Sequence, residues 1–262
     1  MRREISISTA FDYSISIEQQ VQLIADAGFN YISLGENKEH SGFMSRERRK
    51  NLKTLLNQFS MHIDTIHGCR ADLPNSIAML TDMAESAVYL GSKTIAFHAT
   101  NFEIRPDEVD AKSENLFKLC NELKYISKDT GIIFALENLH PGSATDVVRK
   151  VLPELDETYF GFCYDSSHDQ IDGPRTFDLL EQFKNRIVAV HISDRIREFV
   201  DHVIPGEGFI DLKSICRILK EANYHRPLLL EVMTLHSKEK EVKSFLELAY
   251  KSGCKLYDDI RN

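Results

Sequence analysis

ISTAFDYS, residues 7–14, closes the first hydrophobic run of the chain and contains no glycine. That absence separates two α/β architectures. A doubly wound open sheet usually carries a glycine-rich phosphate loop directly after its first strand, whereas a closed parallel barrel needs none. On either side of this stretch, short β-rich segments alternate with longer amphipathic ones. Eight strands are predicted: Glu4–Thr9, Tyr31–Leu34, His62–His67, Thr94–His98, Ile132–Glu137, Tyr159–Tyr164, Ile187–His191 and Leu228–Val232. Between them, SIEQQVQLIADAG (16–28) sets Ile17, Val21, Ile24 and Ala25 on one helical face before Gly28. SIAMLTDMAESAVYLG (76–91) repeats the pattern with Ile77, Leu80, Ala84, Ala87 and Val88 before Gly91. Strands separated by helices pair in parallel through right-handed crossovers, and eight such units in 262 residues fit a (β/α)8 barrel. The expectation is α/β: a single (β/α)8 TIM barrel domain over residues 1–262, with no Pro-, Gly- or Ser-rich linker.

Hydrophobic content of 42% and charged content of 27% are those of an ordinary globular protein. The start MRREISISTAFDYS shows no basic-then-apolar signal pattern, and no apolar run is long enough for a membrane helix. The cytoplasm is the expected location. Cysteines at 69, 120, 163, 216 and 254 are odd in number and without CxxC spacing, which argues against a disulfide framework or a thiolate zinc site. Cys163 and Cys216 read as small core residues. A net charge of -8 weighs against a nucleic-acid partner. The densest basic run, RERRK (46–50), reads as a solvated helix face.

Six consecutive predicted strands end in a metal-capable side chain. Strand three ends in TIHG (His67), four in AFHAT (His98), five in ALENL (Glu137) and six in CYDSSH (Asp165, His168). Strand seven ends in AVHISD (His191, Asp194) and eight in LLLEV (Glu231). In a parallel barrel these ends converge on the face where such folds do chemistry. A lone strand-end histidine is more often structural than functional, but six at one end require a common cause. Glu137 and Glu231 each follow an apolar run, and an unpaired buried carboxylate is costly, so a cation is implied. Mixed imidazole and carboxylate donors suit zinc, manganese, cobalt or iron better than an all-oxygen cation. After strand seven, SDRIREFVDHVIPGEGFI (193–210) has turn residues and no clean helical period, which predicts a long active-site loop. The PGEG turn (205–208) is expected to fold that loop back, with Glu207 closing a polar contact.

The ordered set ENL (137–139), YDSSH (164–168), VHISD (190–194), HVIPGEGFID (202–211) and LLLEV (228–232) resembles the xylose-isomerase-like barrel superfamily over nearly the whole chain. That group contains sugar isomerases and epimerases, inosose-type isomerases and dehydratases, and zinc apurinic-site endonucleases. The resemblance implies Glu137, Asp165, His191 and Glu231 as ligands of one divalent metal ion (Mn, Zn, Co or Mg). In the epimerase branch the two glutamates are also catalytic as acid and base, His168 contacts substrate hydroxyls, and Arg197 falls where a substrate-binding arginine can stand; a solvated loop arginine explains Arg197 equally well. The endonuclease branch implies two or three zinc ions, with His67 and His98 joining Glu137, and His168 joining His202 and an aspartate. This chain departs there: the aspartate position aligns with Val200, and Asp201 stands one residue away.

The functional expectation is a divalent-metal-dependent isomerase or epimerase acting on a small sugar or cyclic polyol ketone. Glu137 and Glu231 would move protons on and off carbon through a metal-stabilised enediolate. The alternative is a zinc-dependent phosphodiester hydrolase of the apurinic-site type, favoured by the extra histidines and opposed by the acidic charge and Val200. A third class is a barrel that binds a metabolite without turnover. Homo-oligomers are implied by the resemblance alone. Among weaker candidates, Arg70 is open between a substrate phosphate and a pair with Asp72. Glu36 could line the pocket but reads better as a solvated loop acid, and His140 is open between a substrate contact and a loop histidine without function.

Overall fold

The computed structural model describes residues 3–171 and 173–261. Its eight strands are β1 (Ile5–Ser8), β2 (Tyr31–Leu34), β3 (His62–His67), β4 (Thr94–His98), β5 (Ile133–Glu137), β6 (Phe160–Asp165), β7 (Ile187–Ile192) and β8 (Leu228–Leu230). They close into a barrel in chain order, with β8 pairing back onto β1. Every pairing is parallel. The principal helices are α1 (Ile17–Asp26), α2 (Arg46–Gln58), α3 (Ser76–Leu90), α4 (Val109–Thr130), α5 (Ser143–Val151), α6 (Asp178–Phe183), α7 (Leu212–Glu221) and α8 (Val242–Arg261). Local chemistry sets their ends: the Ser16 hydroxyl accepts from the Gln19 amide at the start of α1, and Gly91 closes α3 in the left-handed region. Among the described residues no helix is long and apolar enough to cross a membrane.

The strand expectations fall within one or two residues of the observed bounds. The largest difference is β8, which stops at Leu230 instead of Val232. The Glu231 amide still donates to the Ile192 carbonyl (3.1 Å), but the Met233 amide turns to the His202 carbonyl (2.6 Å), so the chain leaves the barrel to join the loop after β7. The expected helices at 16–28 and 76–91 form as α1 and α3. RERRK opens α2, with Arg46, Glu47, Arg48 and Lys50 exposed.

Most of the buried apolar side chains form one large cluster. A second cluster lies apart from it: Ala96, Ala135, Cys163 and Ala189, each 2% exposed or less. These four residues precede His98, Glu137, Asp165 and His191 by two positions. Side chains two apart on a strand share a face, so the small layer is the floor and His98, Glu137, Asp165 and His191 are the next layer up. Large side chains in the floor would displace the layer above. All five cysteines are free, with Cys163 and Cys216 buried as expected.

Candidate metal and active site

Glu137 is the centre of the upper layer. It is fully buried, and four histidines from four different segments approach its two oxygens. Its Oε2 lies 3.3 Å from His67 Nε2 and 3.5 Å from His98 Nε2. Its Oε1 lies 3.2 Å from His191 Nδ1 and 3.5 Å from His168 Nδ1. The same His191 nitrogen is 2.8 Å from Glu231 Oε2, so two carboxylates share one imidazole. Asp165, also fully buried, is 3.8 Å from His202 Nε2 through Oδ2. Barrel register explains the meeting: His98 pairs with Glu137, and Asp165 with His191.

These groups fit a metal ion by two independent signs. Glu137 Oε2, Asp165 Oδ2 and His98 Nε2 are buried and accept or donate no hydrogen bond, a costly state that a cation relieves. Three histidines are also held from behind. His67 Nδ1 donates to the Gly68 carbonyl (3.0 Å) and His168 Nδ1 to the Asn138 carbonyl (3.0 Å), while His202 Nδ1 faces Asp201 Oδ1 at 3.3 Å. Each contact leaves Nε2 as the basic nitrogen, the arrangement that orients metal-binding imidazoles. Four overlapping sets could hold an ion: Glu137, Asp165, His191 and Glu231; His67, Glu137 and His191; His98, Glu137 and His168; and Asp165, His168 and His202.

In the metal-free chain the cluster neutralises itself. Burial would raise the Glu231 carboxyl, yet the His191 charge outweighs it and brings it down to about 2. Glu137 is likewise held well below the usual range, burial being outweighed by His191 and His98. Burial works against cationic His67 and His202, but adjacent carboxylates win and raise both to about 9. His168 goes the other way, pushed by burial down to about 3. Asp165 is pushed by burial up to about 7.

The mouth of the cavity is aromatic. Phe102, after β4, sets its ring 5.3 Å from His98, 5.1 Å from His168 and 4.9 Å from His140 between centroids. Ala10, Tyr13, Met233 and exposed Glu36 also line it. Glu36 is thus both solvated and at the rim. Sequence patterns gave no signal for Phe102, Tyr13 or Met233, because loop residues have no period.

The long loop after β7 contains no helix among its residues 193–210. Asp194, which the strand-end pattern grouped with the chelating residues, does something else. Its Oδ1 accepts from the amides of Arg195 (2.8 Å) and Ile210 (3.0 Å), and its Oδ2 from those of Gly206 and Gly208 (2.9 Å each). A Cβ at position 208 would collide with the Arg195 carbonyl and this carboxylate, so the turn requires glycine there. Glu207 accepts from the Lys238 amide, the polar contact expected of it.

Arg197 is not brought to the cluster. It lies exposed in the turn where the Val200 amide donates to its carbonyl. Arg195 is the buried arginine of the loop, 1% exposed, with its guanidinium on Asp201 Oδ2 (2.7 Å) and the Ser167 carbonyl (3.1 Å). Asp201 therefore stands behind His202 and bonds Arg195. Arg70 pairs with Asp72 (3.1 Å), one of the two alternatives left open.

Three comparisons place this geometry among known proteins. Inosose dehydratase of Clostridium perfringens is 27% identical over 131 residues, covering 42% of this chain and 44% of that protein. The crystal structure of IOLI protein with a zinc atom superposes with a TM-score of 0.74 at 20% identity, covering 98% of both chains. D-psicose 3-epimerase with D-tagatose, from Clostridium cellulolyticum, gives 0.71 at 16% identity, again over 98% of both. At these identities the structural likeness speaks for the fold. The family model for the xylose isomerase-like TIM barrel matches residues 21–251, nearly the entire barrel, and the chain belongs to that family.

Proposed function

We propose that the protein is a divalent-metal-dependent isomerase or epimerase of a small sugar or cyclic polyol ketone. The observation that carries this reading is the pair Glu137 and Glu231, two carboxylates that line one cavity and share the His191 nitrogen at 3.2 and 2.8 Å. One carboxylate removes a proton from the carbon next to a carbonyl, and the other returns a proton to carbon. Glu137, Asp165, His191 and Glu231 would hold the ion, which supplies a Lewis acid for the negative charge that develops on oxygen. His168, neutral near pH 7 and anchored through Nδ1, orients a hydroxyl with Nε2. Phe102 and Met233 limit water at the reacting carbon. The inosose dehydratase and epimerase relatives act on compounds of this chemical class, which supports the choice.

The apurinic-site reading is weaker. The extra histidine sets favour it, but among the described residues no lysine or arginine lines the cavity, and a phosphate backbone needs cations. The test is elemental analysis of protein purified without chelator, followed by solvent-deuterium exchange into ketoses and inososes. About one metal per chain and deuterium at the carbon next to the carbonyl are expected. Two or three zinc ions with cleavage of abasic DNA and no exchange would overturn the proposal.

A further inference from the structure

The cavity above the cluster is about 180 Å³. That is below the roughly 300–1,000 Å³ of pockets enclosing drug-sized ligands, and leaves room for about one sugar ring. On its β1 and β8 side it is bounded by Ala10, Tyr13 and Met233. The same three residues line a second space of about 630 Å³, together with Phe11, Leu235 and Lys240. The two spaces thus adjoin, with Ala10, Tyr13 and Met233 common to both.

The polar side chains of the groove each make hydrogen bonds within the protein. Asp12 Oδ1 accepts from the Ser14 amide (3.0 Å) and hydroxyl (2.6 Å). The Thr234 hydroxyl donates to the Phe11 carbonyl (3.1 Å). Lys240 Nζ donates to the carbonyls of Thr234 (2.9 Å) and Leu235 (2.6 Å). The groove therefore presents mainly the Tyr13 ring, Met233 and Leu235, the last 75% exposed. The mainly apolar lining suits an aryl or alkyl group better than a second sugar ring. Tyr13 is fixed in place: its hydroxyl accepts from the Asn37 amide (3.4 Å), and a side chain at Gly35 would collide with it.

We propose that this groove is a subsite for an apolar aryl or alkyl substituent on the polyol that occupies the cluster. The substrate is then a substituted sugar rather than a free one. The inference rests on the polyol reading above, and the experiment separates the two. The full chain, loaded with manganese, is titrated by calorimetry with methyl β-D-glucopyranoside, phenyl β-D-glucopyranoside and an inosose. The phenyl glucoside is expected to bind at least tenfold tighter than the methyl glucoside, and Leu235→Asp to bring that ratio toward one. Equal affinities in the unmodified chain overturn the subsite, as does a ratio that Leu235→Asp leaves unchanged. Binding of the inosose with neither glucoside also overturns it. If Leu235→Asp instead turns a dimer into monomers while the glucosides bind alike, the groove is a subunit contact and the subsite is refuted. If none of the three ligands binds, the polyol reading itself falls, and the subsite with it.

Discussion

Replacing Asp194 with alanine should unfasten the loop after β7 while leaving Glu137, Asp165, His191 and Glu231 in place. Its carboxylate accepts four amide bonds, two from buried amides (Arg195 and Ile210) and two from partly buried ones (Gly206 and Gly208). A buried amide left without an acceptor costs about 2 kcal/mol, and a partly buried one about 1 kcal/mol, so a loop kept closed would lose ~6 kcal/mol. Opening the loop lets water satisfy these amides, so the measured global loss should be smaller, about 3 kcal/mol, with the remainder seen as local exposure. Urea denaturation gives the first quantity, and hydrogen exchange at Gly206, Gly208 and Ile210 the second. Metal content should stay near that of the unmodified chain, because Glu137, Asp165, His191 and Glu231 lie on or beside strands. Asp194→Asn keeps an acceptor for two of the four amides and should fall between. A loss below ~1 kcal/mol with unchanged exchange at those amides would show that the carboxylate does not frame the loop.

Asp165→Ala should lower metal content sharply, whereas His168→Ala should mainly lower turnover; equal metal loss from both, measured by elemental analysis, would favour a multi-metal centre. Glu231→Gln should keep the fold by circular dichroism yet reduce deuterium exchange at the substrate carbon by at least ~100-fold, the low end of what general acid–base catalysis supplies; exchange at the original rate would remove Glu231 from proton transfer. In the metal-free chain, His67 and His202 have folded pKa values raised from 6.5 to about 9. Their contribution to stability is therefore complete below pH 6.5 and is lost as pH rises through about 9. Denaturation midpoints should fall across that window without metal and stay flatter with it; a flat profile for the metal-free chain would contradict the assignment.

Much of the barrel was legible because its signals are periodic. Alternation of strand and helix set eight strands in order, and the position of His67, His98, Glu137, Asp165, His191 and Glu231 at strand ends followed from where each apolar run stops. What escaped lies where no period exists. Asp194 and His191 stand three residues apart with the same outward signature, yet one faces amides and the other carboxylates. Arg195 and Arg197 are chemically identical, yet the first is buried against Asp201 and the Ser167 carbonyl and the second is exposed. Asp201, one residue away from the expected ligand position, proves to stand behind His202 instead of beside it, a distinction that depends on the loop's path.

Glu137 belongs to three of the four overlapping donor sets, and His168 to two. Counting chelating side chains in this barrel therefore does not count ions, because one carboxylate would have to be divided among neighbours. A second cation beside one held by Glu137, Asp165, His191 and Glu231 would share a donor with it, so occupancy at one position would change affinity at the next. A family built on such shared donors can alter its metal inventory by exchanging a peripheral histidine while leaving the barrel intact. Nuclearity then becomes a property inherited separately from the fold.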